Sequence, residues 1–307
     1  MLYRFVYGAL IVFLVVVIER VARLATLPVH LRWELYPVAH EENARYGGSF
    51  FEHLDWWKRK RNTSMLGELK VMVPEIVLLK AVHEHNRSLW YRSFPFHFGL
   101  YLMALFVALL VGGGVAQAFG VEIGASAPSI GLALHWATKV VGFAALGLMG
   151  LGALGLLVRR LTDPTLRAFS ATADYFNLLV FIALAVVGLV ASITSDVDFV
   201  ELRRFTQSLA TVHLDAPAPG GWVGAEIAMA SAVLAYIPAT HMSHFFTKWF
   251  MYHSVRWDDR VNTVGSPLEG RIVSQLGYKV DWSAAHIQGG NRKSWVDVAT
   301  EKPEPKP

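Results

Sequence analysis

Apolar residues run along this chain in long blocks, and the polar residues gather between them. The blocks at 3–18, 94–119, 131–158, 172–194 and 222–247 each approach or exceed the roughly 17–25 apolar residues that a helix needs to cross the hydrocarbon core of a bilayer. The pattern predicts five spans in an all-α integral membrane helix bundle. The first block resembles a secretory signal, with Arg4 near its start, but Glu19-Arg20-Val21-Ala22-Arg23 follows where a small-residue cleavage site would stand. It is read as a retained helix with a charged inner end.

Composition agrees: 54% of the 307 residues are hydrophobic, 17% are charged and the mean hydropathy is +0.38, too apolar for a water-soluble globule of this size. The charges set an orientation. Arg32, Arg45, Lys58, Arg59, Lys60, Arg61, Lys70, Lys80, Arg87 and Arg92 lie between the first two spans, while the loop 120–130 has neither lysine nor arginine. Arg159, Arg160 and Arg167 join spans three and four, the loop 195–221 carries more acid than base, and the tail after Lys248 is basic. The positive-inside rule then places the N-terminus outside and the C-terminus inside a cytoplasmic membrane, in a multi-pass protein. The net charge of +4 follows from this asymmetry and gives no reason to invoke nucleic acid.

Four regions result: a first membrane helix (1–27), an inner interfacial segment (28–93), a four-helix membrane region (94–250) and a cytoplasmic tail (251–307). Trp33, Trp56, Trp57 and Trp90 make the inner segment a headgroup anchor. In the tail, Trp257, Tyr278, Trp282 and Trp295 suit docking on a partner subunit or folding back on the chain's own membrane domain. Roughly its last ten residues, rich in proline and charge, read as disordered. Gly112-Gly113-Gly114 and the glycines of span three read as close helix packing.

The absence of cysteine removes disulfides, covalently attached c-type haem and cysteine-ligated clusters. Any redox carrier must use other ligands, and histidine is the obvious supply. Ionisable residues inside the spans are few: His97, His135, Lys139, Glu226, His241 and His244. Counting from Arg92 and Lys248 at the helical rise puts His97 about 7 Å and His244 about 6 Å deep. Two imidazoles at one depth on different helices are what a low-spin b-type haem needs, one for each face of the iron. Capping or snorkelling is the plainer reading of either residue alone, and His241, three residues before His244, competes for the same role.

Near the other surface, the same counting places His135 and Glu226 about 33–36 Å from the inner charges, with Lys139 one turn below His135. An imidazole, an amine and a carboxyl there suit proton exchange with a quinone, such as menaquinone; a salt-bridged helix end is the alternative. His213 lies in the outer loop and reads as solvated, while His30, His40, His53, His83, His85, His253 and His286 read as surface residues.

Phe96-His97-Phe98-Gly99, Leu156-Leu157-Val158-Arg159-Arg160-Leu161 with Arg167 and Ala173-Asp174, and Pro238 six residues before His244 resemble the gamma subunit of respiratory nitrate reductase over roughly residues 90–250. Leu27 to Pro37 and Phe250 to Asp259 are more similar to the related cytochrome b subunits of sulfate-reducer-type transmembrane complexes. The resemblance implies an electron-transfer subunit of a respiratory oxidoreductase complex. It would link quinol or a periplasmic multihaem cytochrome c to a cytoplasmic iron–sulfur partner of the heterodisulfide-reductase type. It also implies inner haem ligands at His97 and His244. The outer pair falls on Val107 and Glu226, neither suited to a bis-histidine site, so one haem is secure and a second would need His135 with another ligand such as His213. A quinol site near the start of span three, by His135 and Lys139, agrees in region only. The reading from a different class is a haem-free membrane anchor for a cytoplasmic redox subunit.

Overall fold

The computed structural model describes residues 1–28, 38–257, 260, 262–284, 287 and 290–301. His30, Trp33, His286, most of the segment 27–37, Asp258-Asp259 and the tail end 302–307 lie outside the described residues. Those described form an all-helical fold: α1 (Leu2–Ala25), α2 (Met65–Val77), α3 (Lys80–His85), α4 (Arg87–Ala118), α5 (Ser129–Thr162), α6 (Pro164–Phe169), α7 (Thr172–Thr194), α8 (Val200–Ala210), α9 (Gly221–Tyr236), α10 (His244–Phe250), α11 (Pro267–Leu276) and α12 (Trp295–Thr300). Five stretches are long and apolar enough to cross a membrane: α1, α4, α5, α7 and Gly221–Ala239, as the apolar blocks predict.

The chain divides into two compact units, Met1–Val16 with Leu69–Met242 and Val17–Glu68 with Ser243–Pro307. In the first, α4, α5, α7 and α9 run alternately up and down. α4 starts several residues before its apolar block because Asn86 caps it, its side chain accepting from the Leu89 amide at 3.0 Å. Gly99 of α4 lies against the backbone of Met149, and Gly152 of α5 against the backbone of Phe96. Each position has no room for a Cβ, so the two glycines let α4 and α5 approach at backbone distance. Leu146, Met149, Ala153, Phe181, Leu184 and Val233 fill the core toward the arginine-rich end.

The opposite end has its own core of Phe106, Leu110, Phe199, Leu202, Phe205, Val223 and Ile227. Tyr3 and Val6 of α1 join it, Tyr3 stacking on Phe205 at 4.5 Å between ring centroids. The short amphipathic α8 lies against α4 because Gly114 admits the backbone of Gln207, and Thr206 Oγ1 donates to the Leu110 carbonyl at 3.0 Å. Of the predicted glycine triplet, Gly113 and Gly114 make this packing; Gly112 faces open space.

The fifth apolar block departs from the expectation of one helix over 222–247. α9 ends at Tyr236, because Pro238 has no amide hydrogen to continue the ladder. Two 3₁₀ turns, Ile237–Ala239 and His241–Ser243, separate it from α10, with Thr240 extended between them. The rise-per-residue count from Lys248 therefore holds back to His244 and fails for Glu226.

In the second unit, α10 continues into a π-helical turn, Met251–Arg256. The stretch 38–64 contributes short 3₁₀ turns held by the Asn43 amide on the Ser49 carbonyl at 2.7 Å and by Arg61 on Glu41 at 2.9 Å. Ser294 caps α12, receiving the Asp297 amide at 3.3 Å.

Candidate functional site

His97 sits in the third turn of α4, half-buried. Its Nδ1 lies 2.8 Å from the Ser93 carbonyl oxygen. A carbonyl only accepts, so Nδ1 carries a hydrogen and donates it to Ser93. A backbone carbonyl on the far nitrogen is the arrangement that orients metal-binding histidines and raises their basicity. Gly152, against the backbone of the adjacent Phe96, fixes this turn of α4 on α5.

His244 is the first residue of α10 and is exposed. It belongs to the second unit, while His97 belongs to the first. His241 does not share a helix face with it, since the 3₁₀ turn intervenes. Its Nε2 is instead 3.9 Å from Asp174, which pairs with Arg160 at 3.2 Å.

At the opposite end of the first unit the polar residues converge on a group missing from the sequence-based candidates, Asp198. Lys139 Nζ donates to its carboxylate at 2.7 Å, and His135 Nε2 lies 3.8 Å from the same oxygen. The hydrogen bond from Lys139 holds the Asp198 carboxyl below the ordinary carboxylate range, with the Lys139, His135 and Arg203 charges adding to it and partial burial opposing. Arg203, only 1% exposed, donates from Nη2 to the Asp198 carbonyl at 3.4 Å. Burial pushes its guanidinium below the usual arginine value, against the charges of Asp196 and Asp198. Asp196 caps α8, accepting from the Val200 and Leu202 amides at 2.7 and 3.0 Å. His135 Nδ1 and Arg203 Nε and Nη1 are buried without a hydrogen-bond partner.

The expected trio is therefore only partly assembled. His135 and Lys139 meet, whereas the buried Glu226 carboxyl lies over Gly188 of α7, where an added Cβ would come within 3.1 Å of it. Among the described residues no ion pair joins Glu226 to either. The salt-bridge alternative for Lys139 is realised, through Asp198. The signal for this hub was the Asp196-Val197-Asp198 loop followed by Arg203 at the end of the chain's path where His135 also lies.

His213 is exposed and bonded to Thr211 Oγ1 at 2.8 Å, away from any buried position. Two histidines read as surface residues are not. His40, its side chain 9% exposed, and His253 gather around Glu68 in the second unit, at 3.9 and 3.2 Å. His83 and His85 are exposed as expected. No group of three or more metal-ligating side chains forms among the described residues.

Five helices of membrane-spanning length, one of them carrying a histidine held by its own backbone, define an integral membrane helical protein. The family model for the nitrate reductase gamma subunit matches residues 82–258, more than half of the chain, and the chain belongs to that family. Its members are membrane b-type cytochrome subunits of larger redox complexes, so haem b is the implied cofactor. No curated protein and no solved structure matches the chain.

The residues fit that group at one place and not at another. The His97 ring, held at Nδ1 by the Ser93 carbonyl, is of the residue type and orientation that such a group takes. At the positions of an outer pair, Val107 is 50% exposed on the outside of α4 and Glu226 offers a carboxyl. No bis-histidine site can form from them.

Proposed function

We propose that this chain is the b-type cytochrome subunit of a respiratory complex, lying in the cytoplasmic membrane with its N-terminus outside. It passes electrons between quinol or a periplasmic cytochrome c and a cytoplasmic iron–sulfur subunit, held on its tail and inner segment. The membrane region 94–250 carries the cofactor, with His97 and His244 as axial ligands of one haem. When bound, the haem supplies a one-electron carrier. The observation that carries the reading is His97 itself, oriented by Ser93 within a chain of this family. The equal depths of His97 and His244 support the pair.

His135 and Lys139, joined on Asp198, are the proposed quinone-facing groups. Quinol oxidation releases a proton with each electron, and the His135 imidazole is the group placed to receive it while Lys139 holds the Asp198 carboxylate. Glu226, buried on α9 over Gly188 of α7, makes no ion pair with them among the described residues.

The test is a dithionite-reduced minus oxidised spectrum with haem quantified per polypeptide, on wild type and on His97→Ala, His244→Ala and His135→Ala. One haem in wild type, lost in the first two variants and kept in the third, is the expected result. Two haems, one lost with His135, would make that residue a ligand. Absence of b-type absorption would leave the haem-free anchor.

A further inference from the structure

The chain reaches His244 across a break. α9 stops before Pro238 and two 3₁₀ turns follow, so α10 does not inherit its direction from a membrane-spanning helix. Whatever fixes the first turn of α10 also aims the His244 ring. Within the second unit, that turn is tied to a residue 223 positions away: Arg20 Nη1 donates to Ser243 Oγ at 2.6 Å. Ser243 is buried and immediately precedes His244. A serine in this position ordinarily caps its own helix by accepting an amide from the first turn. Here its side chain makes no such cap, and the oxygen is engaged by Arg20 instead. The donor is charged and planar, so the tie is both stronger and more directional than a neutral hydrogen bond.

The other end of the same helical stretch is also held. His253 Nδ1 lies 3.0 Å from the Trp249 carbonyl, and its Nε2 lies 3.2 Å from Glu68 Oε2. The ring thus bridges its own helix and the Glu68 carboxyl of α2. The ring also stacks on Trp249 at 3.8 Å and 23°.

We propose that Arg20, through Ser243, and Glu68, through His253, are positioning residues that clamp the helix carrying His244 at its two ends. The proposal rests on the reading of His244 as a haem ligand. It assigns a purpose to Arg20, which the sequence presents only as part of the charged end of α1.

The experiment uses the full-length chain in lipid nanodiscs, with Ser243→Ala, Arg20→Gln, Arg20→Lys, Glu68→Gln and, as the ligand control, His244→Ala. Three readouts are taken: haem per polypeptide, the low-spin EPR g-values, which report the relative orientation of the two axial imidazole planes, and amide hydrogen exchange over 244–250. Ser243→Ala and Arg20→Gln are expected to retain haem, shift the largest g-value and speed exchange in α10 by about tenfold. Arg20→Lys should restore part of both changes, and Glu68→Gln should speed exchange at the far end first. Should Arg20→Gln fail to fold, Ser243→Ala carries the test, because it removes a single hydroxyl. Wild-type g-values and exchange in Ser243→Ala and Arg20→Gln, with haem lost in His244→Ala, would overturn the clamp and leave the ligand reading standing. Haem retained in His244→Ala would overturn the ligand reading, and the positioning role with it, whatever the exchange shows.

Discussion

His97 and His135 both lie within long apolar helices, and their surroundings treat the imidazole in opposite ways. His97 is satisfied by its own helix, through the Ser93 carbonyl one turn back. His135 faces a network that spans three elements, with Asp198 shared between it, Lys139 and the neighbourhood of Arg203. The His97 ring is fixed by the turn of helix beneath it, which suits the ligand role proposed for it. The His135 ring instead shares a carboxylate with Lys139 in a cluster of charged groups. The same residue type thus stands in two settings, one ring bonded within its own helix and the other drawn into a charged cluster between elements.

That contrast can be broken most forcefully at Gly152. Replacing it by leucine puts a side chain into the backbone of Phe96, beside His97, and the overpacking should cost about 1–3 kcal/mol. Haem content is expected to fall sharply, while the Lys139–Asp198 end keeps its protection in hydrogen exchange; equal loss at both ends would show that they are not separable. Next in size is Asp198→Ala, which strands Lys139 and deprives buried Arg203 of a nearby anion. With Asp198 half-exposed, a loss of roughly 2 kcal/mol is expected in thermal unfolding, and the haem spectrum should not change. Asp196→Ala removes the two amide bonds that start α8 and should cost about 1 kcal/mol, seen as faster exchange in Val200–Ala210.

The ends should also differ in their response to acid. The folded-state value of Asp198 is depressed, so its contribution to stability is fully present above the unfolded carboxylate range and is lost as pH falls through the folded value. The stability difference between wild type and Asp198→Asn should therefore be flat above about pH 5 and shrink below about pH 4. A difference that instead grows in acid would contradict the assignment. The smallest effect belongs to Ser93→Ala. It deletes the hydroxyl 3.2 Å from His97 Nδ1 and leaves the carbonyl acceptor in place, so haem affinity should change less than the roughly tenfold typical of lost outer-shell bonds. A larger loss would mean that the hydroxyl, not the carbonyl, orients the ring.

Much of this was legible in the amino-acid order. The five spans follow from apolar length, and α7 occupies the residues of its block, 172–194, because no proline interrupts them and the one charge, Asp174, lies in the first turn. His97 and His135 stand out because an imidazole is costly among leucines and alanines. The fifth block misled for a local reason: its hydropathy continues through Pro238, while its backbone cannot. His40 and His253 misled for a non-local one. Each lies in a polar stretch that reads as surface, and only folding brings Glu68 of α2 between them.

The sequence by itself determined that the chain is a membrane helical protein and which histidines are candidates for redox chemistry, because apolar length and the cost of a buried polar group are properties of single segments. Tertiary structure decided which polar group answers which. Lys139 pairs with Asp198 and not Glu226, and Arg20 with Ser243, across separations of 59 and 223 residues. Such pairings depend on distances between helices, and no periodicity along one strand of sequence encodes them.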